Sequence, residues 1–131
     1  MLPDILKMSL ILLVLLQIKH MFADFYLQTP RMLSARDRYL HMGRAQHSGL
    51  HALGSAAALL VVGTALPVLL LIIAAEWVAH YHIDWGKGWY SNVIQHTPAD
   101  PGYWRAIGLD QALHQITYVA MIWGWGQYGF G

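Results

Sequence analysis

From Pro67 to Trp85 the sequence is apolar except at Glu76, His80, His82 and Asp84. Residues four apart lie on one face of a helix, so Glu76, His80 and Asp84 make a single polar stripe, and Lys87 closes it. Ionisable groups left among hydrocarbon without partners are costly, and inside a membrane segment they point to function by default. The stripe therefore demands matching polar groups from elsewhere in the chain, and that demand limits the folds open to it.

Hydrophobic residues make up 56% of the 131 and charged residues 11%, against about 25% charged in a soluble domain. The chain reads as an integral membrane protein. A net charge of +1 with no long basic run gives no footing for nucleic acid as a partner. Without cysteine there are no disulfides or thiolate sites, so any metal must be held by nitrogen and oxygen. The eight histidines, which outnumber the seven acidic residues, supply the nitrogen.

The pattern predicts an all-α fold: one integral-membrane domain over 1–131, a four-helix transmembrane bundle in up-down antiparallel order, with helices at about 4–27, 47–65, 67–85 and 104–123. The apolar run after Lys7 lacks a small-x-small cleavage site and continues to Tyr26, so it is expected to be a retained helix and not a signal peptide. Thr29-Pro30 should end it, since the residue before proline is pushed out of the helical region. The arginine-rich stretch 31–46 is expected as a membrane-flanking loop with a short interfacial helix. Thr64 to Pro67 is a tight hairpin connection, with Pro67 suited to a first helical turn. Gly86-Lys87-Gly88 should break the third helix, and 89–103 should be an irregular loop. The tail Gly124 to Gly131 reads as an interfacial anchor of glycine and aromatics.

Each expected helix carries one i,i+4 pair of ligand-type residues: His20/Asp24, His47/His51, His80/Asp84 and Asp110/His114. Gln17 and Gln28 extend the first stripe, and Gln111 flanks the last. Lys19 lies off its stripe and is expected to snorkel. Up-down order brings all four pairs to one end of the bundle. At ~1.5 Å rise per residue, His20, His51, His80 and His114 each lie on the order of 10 Å inside their helix ends, on a common shelf. The loops at that end carry Arg31, Arg36, Arg38, Arg44, Lys87 and Arg105, whereas the far end has Lys7 and the N-terminal amine. By the positive-inside rule the shelf faces the cytoplasm and both termini face outward.

So many imidazoles and carboxylates on one shelf exceed the four ligands of a single tetrahedral zinc. They suit one or two divalent ions, zinc favoured, bound by His20, Asp24, His47, His51, His80, Asp84, Asp110 and His114, with a carboxylate bridging. Gln17, Gln28 and Gln111 would orient the ligands. Such a site polarises an ester or phosphoester and supplies a water of lowered pKa. Glu76, one turn deeper, is a catalytic candidate as proton acceptor or as a partner of His80, and Lys87 as the group that binds an anionic head. Two other readings stand beside this one. Buried polar pairs can simply lock helices together, although serine, threonine or asparagine would do so with less desolvation. Haem would use opposed histidines but leaves the aspartates unexplained.

The motifs His20-x-x-x-Asp24-Phe25-x-Leu27-Gln28, His47-x-x-x-His51, His80-x-x-Ile83-Asp84-x-x-Lys87 and Asp110-Gln111-x-x-His114 together resemble those of a family of small bacterial inner-membrane proteins of unknown function. The resemblance covers nearly the whole chain. It departs at Ala52, where most members place glycine, and the histidine pair itself is kept. It implies a multi-pass protein of the bacterial inner membrane and brings no activity. A looser similarity to inner-membrane metal-dependent hydrolases suggests a class by analogy only. The leading expectation is metal-dependent hydrolysis of an amphiphilic ester or phosphoester that reaches the shelf from the surrounding lipid. A non-enzymatic metal-binding, transport or assembly subunit is the first alternative, and a b-type haem protein the second.

Overall fold

A computed structural model describes residues 3–34 and 36–129. Phe130 and Gly131 of the expected anchor, and the N-terminal amine assigned to the far end, lie outside the described residues. Five helices follow in order: α1 (Asp4–Phe25), α2 (Pro30–Leu33), α3 (Met42–Val61), α4 (Leu66–Ile94) and α5 (Pro101–Tyr128). Among the described residues there is no strand. The four long helices form a ring in which α1 touches α3 and α5, and α4 touches the same two, while α2 packs on α3.

The helix boundaries follow from local chemistry. Thr29 caps α2, its Oγ1 accepting from the Met32 amide at 3.3 Å, with Pro30 in the first position. α3 ends in a Schellman turn. The Thr64 amide donates to the Leu59 carbonyl at 3.1 Å and the Gly63 amide to Leu60 at 3.0 Å. Gly63 takes the left-handed φ of 73° that this turn requires. The Thr64 hydroxyl adds a bond to Leu59 O at 2.7 Å, so the hairpin into α4 is tied twice. Ahead of α5, Asp100 Oδ2 accepts from the Thr97 amide and hydroxyl at 2.8 and 2.9 Å, which holds its carboxyl below the usual carboxylate range.

Three helices, α3, α4 and α5, differ in extent from the sequence expectation. α3 begins at Met42, not His47, which carries Gly43 and Arg44 into the helix. Arg44 is buried because main-chain carbonyls satisfy its guanidinium: Nη1 donates to Arg38 O and Tyr39 O at 2.6 and 3.1 Å, and Nη2 donates to Arg36 O. α4 runs through Gly86-Lys87-Gly88 to Ile94, so the glycines do not break it, and the loop expected over 89–103 shrinks to 95–100. Two helical glycines cost about 1 kcal/mol each in propensity, and tertiary packing overrides that cost. A Cβ on Gly88 would run into the Arg36 carbonyl, so this glycine lets the 36–39 segment lie against α4. α5 extends at both ends, to Pro101 and Tyr128, which makes most of the expected glycine-aromatic tail helical. Trp125 of that tail is fully buried in the core.

The interior divides along the bundle axis. At the hairpin end, Leu12, Leu16, Leu59, Val62, Leu69, Ile72, Tyr118, Met121 and Trp125 form the hydrophobic core. At the other end the buried residues are polar, among them His20, Arg44, His47, His51, Glu76, His80, Asp110 and His114. The outside is apolar on every long helix, with Val14, Leu53, Leu71 and Ile116 each more than half exposed. α1 and α4 are long and apolar enough to cross a membrane. In α3 and α5 the inward polar residues pull the average hydropathy down.

Candidate metal centre

Two carboxylates from α1 and α4 organise the polar end. Asp24 Oδ1 accepts from His51 Nε2 at 2.9 Å and lies 3.2 Å from His47 Nε2, while its Oδ2 lies 3.2 Å from His20 Nε2. Asp84 Oδ2 lies 3.4 Å from His47 Nε2 and 3.5 Å from His80 Nε2, and its Oδ1 lies 3.3 Å from His114 Nε2. The Nε2 of His47 thus stands between both aspartates, joining two halves of one cluster. The rings stack through its centre, with centroids 3.8 Å apart for His51 and His80 and 4.2 Å for His80 and His114. His20, His47, His51, His80 and His114 each have Nε2 within 3.5 Å of a carboxylate oxygen.

Two sets of ligand atoms are close enough to hold a metal ion, each within 4.8 Å of one another: Asp24, His47, His51 and His80, and His80, Asp84 and His114. His80 belongs to both. It is 1% exposed, and its Nε2 has no hydrogen-bond partner among the described residues. A buried nitrogen left unsatisfied beside carboxylates can take a further ligand. Nitrogen and oxygen donors in this mixture fit a divalent zinc-like ion.

The remaining candidates occupy distinct positions. His20 is held from behind by Tyr118, Nδ1 to Oη at 2.8 Å, and its Nε2 also lies 3.2 Å from Gln111 Oε1. Gln28 touches His47 Nε2 at 3.4 Å and accepts from Arg36 Nη2 at 2.8 Å. Asp110 sits at the edge, its Oδ1 3.6 Å from His114 Nε2 and its Oδ2 2.7 Å from Lys87 Nζ. Lys87 is therefore paired and not free to wait for a head group alone. Gln17 does not reach the cluster: it exchanges hydrogen bonds with Gln115 of α5. Side chains of that length find each other across the α1–α5 contact sooner than a histidine one turn away.

The largest correction concerns Lys19 and Glu76. Lys19 does not snorkel. Its Nζ donates to Glu76 Oε1 at 2.5 Å, with side-chain exposures of 10% and 0%. It also approaches His51 Nδ1 at 3.2 Å and His51 O at 3.3 Å. An ammonium has only donors, so toward Lys19 the His51 Nδ1 is the acceptor. Glu76 consequently meets the cluster through Lys19 and His51, and not through His80. Burial without a partner would cost each charge heavily, and the pair offsets part of that cost while Glu76 Oε2 has no hydrogen-bond partner among the described residues. The signal was present in the sequence: one lysine and one glutamate, each deep in an apolar helix. Gly54 of α3 accommodates the lysine, since a Cβ there would lie 3.2 Å from Lys19 Cβ.

A polar cavity of about 180 Å³ opens onto the cluster. Three carboxylates, Asp24, Asp84 and Asp110, and three cations, Arg36, Arg44 and Lys87, line it together with His47, Ser34 and Ser91. Sequence reading took these arginines for topology signals, because their inward approach depends on the 36–39 segment folding back over α4.

Residues 11–129 match the family described as Protein of unknown function (DUF3307). The chain belongs to this family. The DUF3307 match takes in every residue of the cluster, from His20 to His114, along with Lys19, Glu76 and the three cations of the cavity. The family's description assigns no activity. No curated protein and no solved structure matches the chain.

Proposed function

We propose that the protein is a metal-dependent hydrolase of the bacterial inner membrane, acting on an amphiphilic ester or phosphoester at the cytoplasmic face. The observation that carries this reading is the shared, unsatisfied His80 Nε2 of two metal-competent sets, beside a cavity where Arg36 and Lys87 face Asp24, Asp84 and Asp110. A purely structural lock would bury its polar pairs closed, whereas this one has an approach. All four long helices cross the bilayer in this reading. The apolar outer faces of α3 and α5 support it, with Leu53, Leu60, Ile116 and Val119 each more than 60% exposed. The arginine-rich end lies in the cytoplasm by the positive-inside rule.

A divalent ion held there supplies Lewis-acid polarisation and an activated water. The chain's own groups do the rest. Asp24 and Asp84 gather the imidazoles, Lys19 balances the buried Glu76 beside them, and Arg36 and Lys87 neutralise an anionic head. A transporter would need a polar path through the hairpin end, and the core there is leucine, valine, isoleucine and aromatic.

Metal analysis of purified wild-type protein against a His51→Ala/His80→Ala variant tests the first half. About one or two equivalents of ion in wild type and close to none in the variant are expected; equally negligible content in both sinks the metal site. The second half is tested by turnover on phospholipid and isoprenoid-phosphate substrates. A metal-loaded protein that turns over none of them leaves the non-enzymatic metal-binding role.

A further inference from the structure

The polar cavity shares a wall with a second space. A groove of about 670 Å³ runs along the outer face between α4 and α5, with Ile83, Trp89, Leu109 and Leu113 along it. Lys87 and Asp110 line both the groove and the cavity, and their 2.7 Å ion pair bridges α4 to α5 where the two meet. The groove is apolar along its length and cationic at its margin, where Arg105 joins Lys87. Its depth comes from two small residues, Gly86 and Ala106, and a Cβ on Gly86 would meet no atom within 4 Å.

This combination selects its occupant by chemistry. Hydrocarbon suits the groove, and Arg105 and Lys87 at its margin with Arg36 in the cavity beyond suit an anionic head. We propose that the groove seats the single hydrocarbon chain of an alkyl phosphate, whose phosphate enters the polar cavity past the Lys87–Asp110 pair. The head exchanges for Asp110 as the partner of Lys87, so the ion pair is the door between the two spaces. This rests on the phosphoester form of the function proposed above and names its substrate class as a one-chain phosphate amphiphile. Seating requires no turnover, so it is tested by binding alone.

The probe is dodecyl phosphate with a diazirine at the chain end, photolysed with the full-length protein in a neutral maltoside micelle and mapped by peptide. Label should concentrate within 83–90 and 105–113. Unlabelled dodecyl phosphate should compete about tenfold better than dodecanol, a difference of ~1.4 kcal/mol, and inorganic phosphate should not displace the chain. Gly86→Leu fills the groove and should lower labelling about tenfold, and Ala106→Leu does the same from α5 if the first variant folds poorly. In Lys87→Met the preference for phosphate over alcohol should disappear. Label spread evenly over the outer faces of all four long helices overturns the proposal, as do full labelling of both filled-groove variants and equal competition by dodecanol. Labelling as expected in a protein that holds no metal would leave the groove standing and remove the hydrolase. Metal without localised labelling would do the reverse.

Discussion

Lys19 changes what the polar end of the bundle is. Without it the cluster is imidazoles around two carboxylates; with it, the cluster gains a buried charge pair, and the Glu76–Lys19–His51–Asp24 chain runs from a buried carboxylate to a candidate ligand through contacts of 2.5, 3.2 and 2.9 Å. Removing one partner of a buried pair strands the other. Lys19→Met should therefore destabilise the protein by about 3–5 kcal/mol, and Lys19→Met/Glu76→Leu should recover most of that loss. Thermal unfolding in detergent checks both. A single variant as stable as wild type would show that the pair is solvated and not buried. The pairs His20/Asp24, His47/His51, His80/Asp84 and Asp110/His114 were legible from spacing alone, because a helix fixes which residues share a face. The partner of Lys19 was not, because it lies on a helix 57 residues away.

At the scale of the element, α4 shows how one residue type can take two opposite roles two positions apart. Gly88 is required by the close approach of the Arg36 carbonyl, whereas Gly86 faces open space. Gly86→Ala should stabilise the helix by about 0.5–1 kcal/mol, and Gly88→Ala should destabilise by about 1–3 kcal/mol by pushing the 36–39 segment away. Paired melting curves would show shifts of opposite sign; shifts of the same sign would mean that the segment does not rest on α4. Gly63→Ala should cost about 1–2 kcal/mol for a left-handed residue with a Cβ. Sequence punctuation placed the hairpin at Thr64–Pro67 but ran its first helix on to Ala65, past the left-handed Gly63 that ends α3, and misread 86–88 as a break. Both use glycine, and only the neighbouring chain tells a stop from a contact.

For the whole molecule, the distribution of polarity is the reverse of a soluble domain, with charge and imidazole inside one end and leucine, valine and isoleucine outside. The proposed orientation puts the hairpin at Thr64–Pro67 outside and the end of α4 inside. Because the chain has no cysteine, single cysteines report cleanly. Leu66→Cys should react with a membrane-impermeant maleimide on intact cells, and Asn92→Cys only after lysis. The opposite pattern would invert the topology, and labelling of both on intact cells would rule out a crossing by α4.

By itself the sequence determined an all-helical chain, its tight hairpin, and four polar pairs destined for one end, since helical periodicity and the hydrophobic pattern are local properties. Only the tertiary structure decided how those pairs combine. It turned Asp24 and Asp84 into two hubs that share His47, placed His80 in both ligand sets, paired Asp110 with Lys87, and brought Arg36 and Arg44 to the same cavity. Each of these depends on distances between helices remote in the chain, and such distances are set by packing.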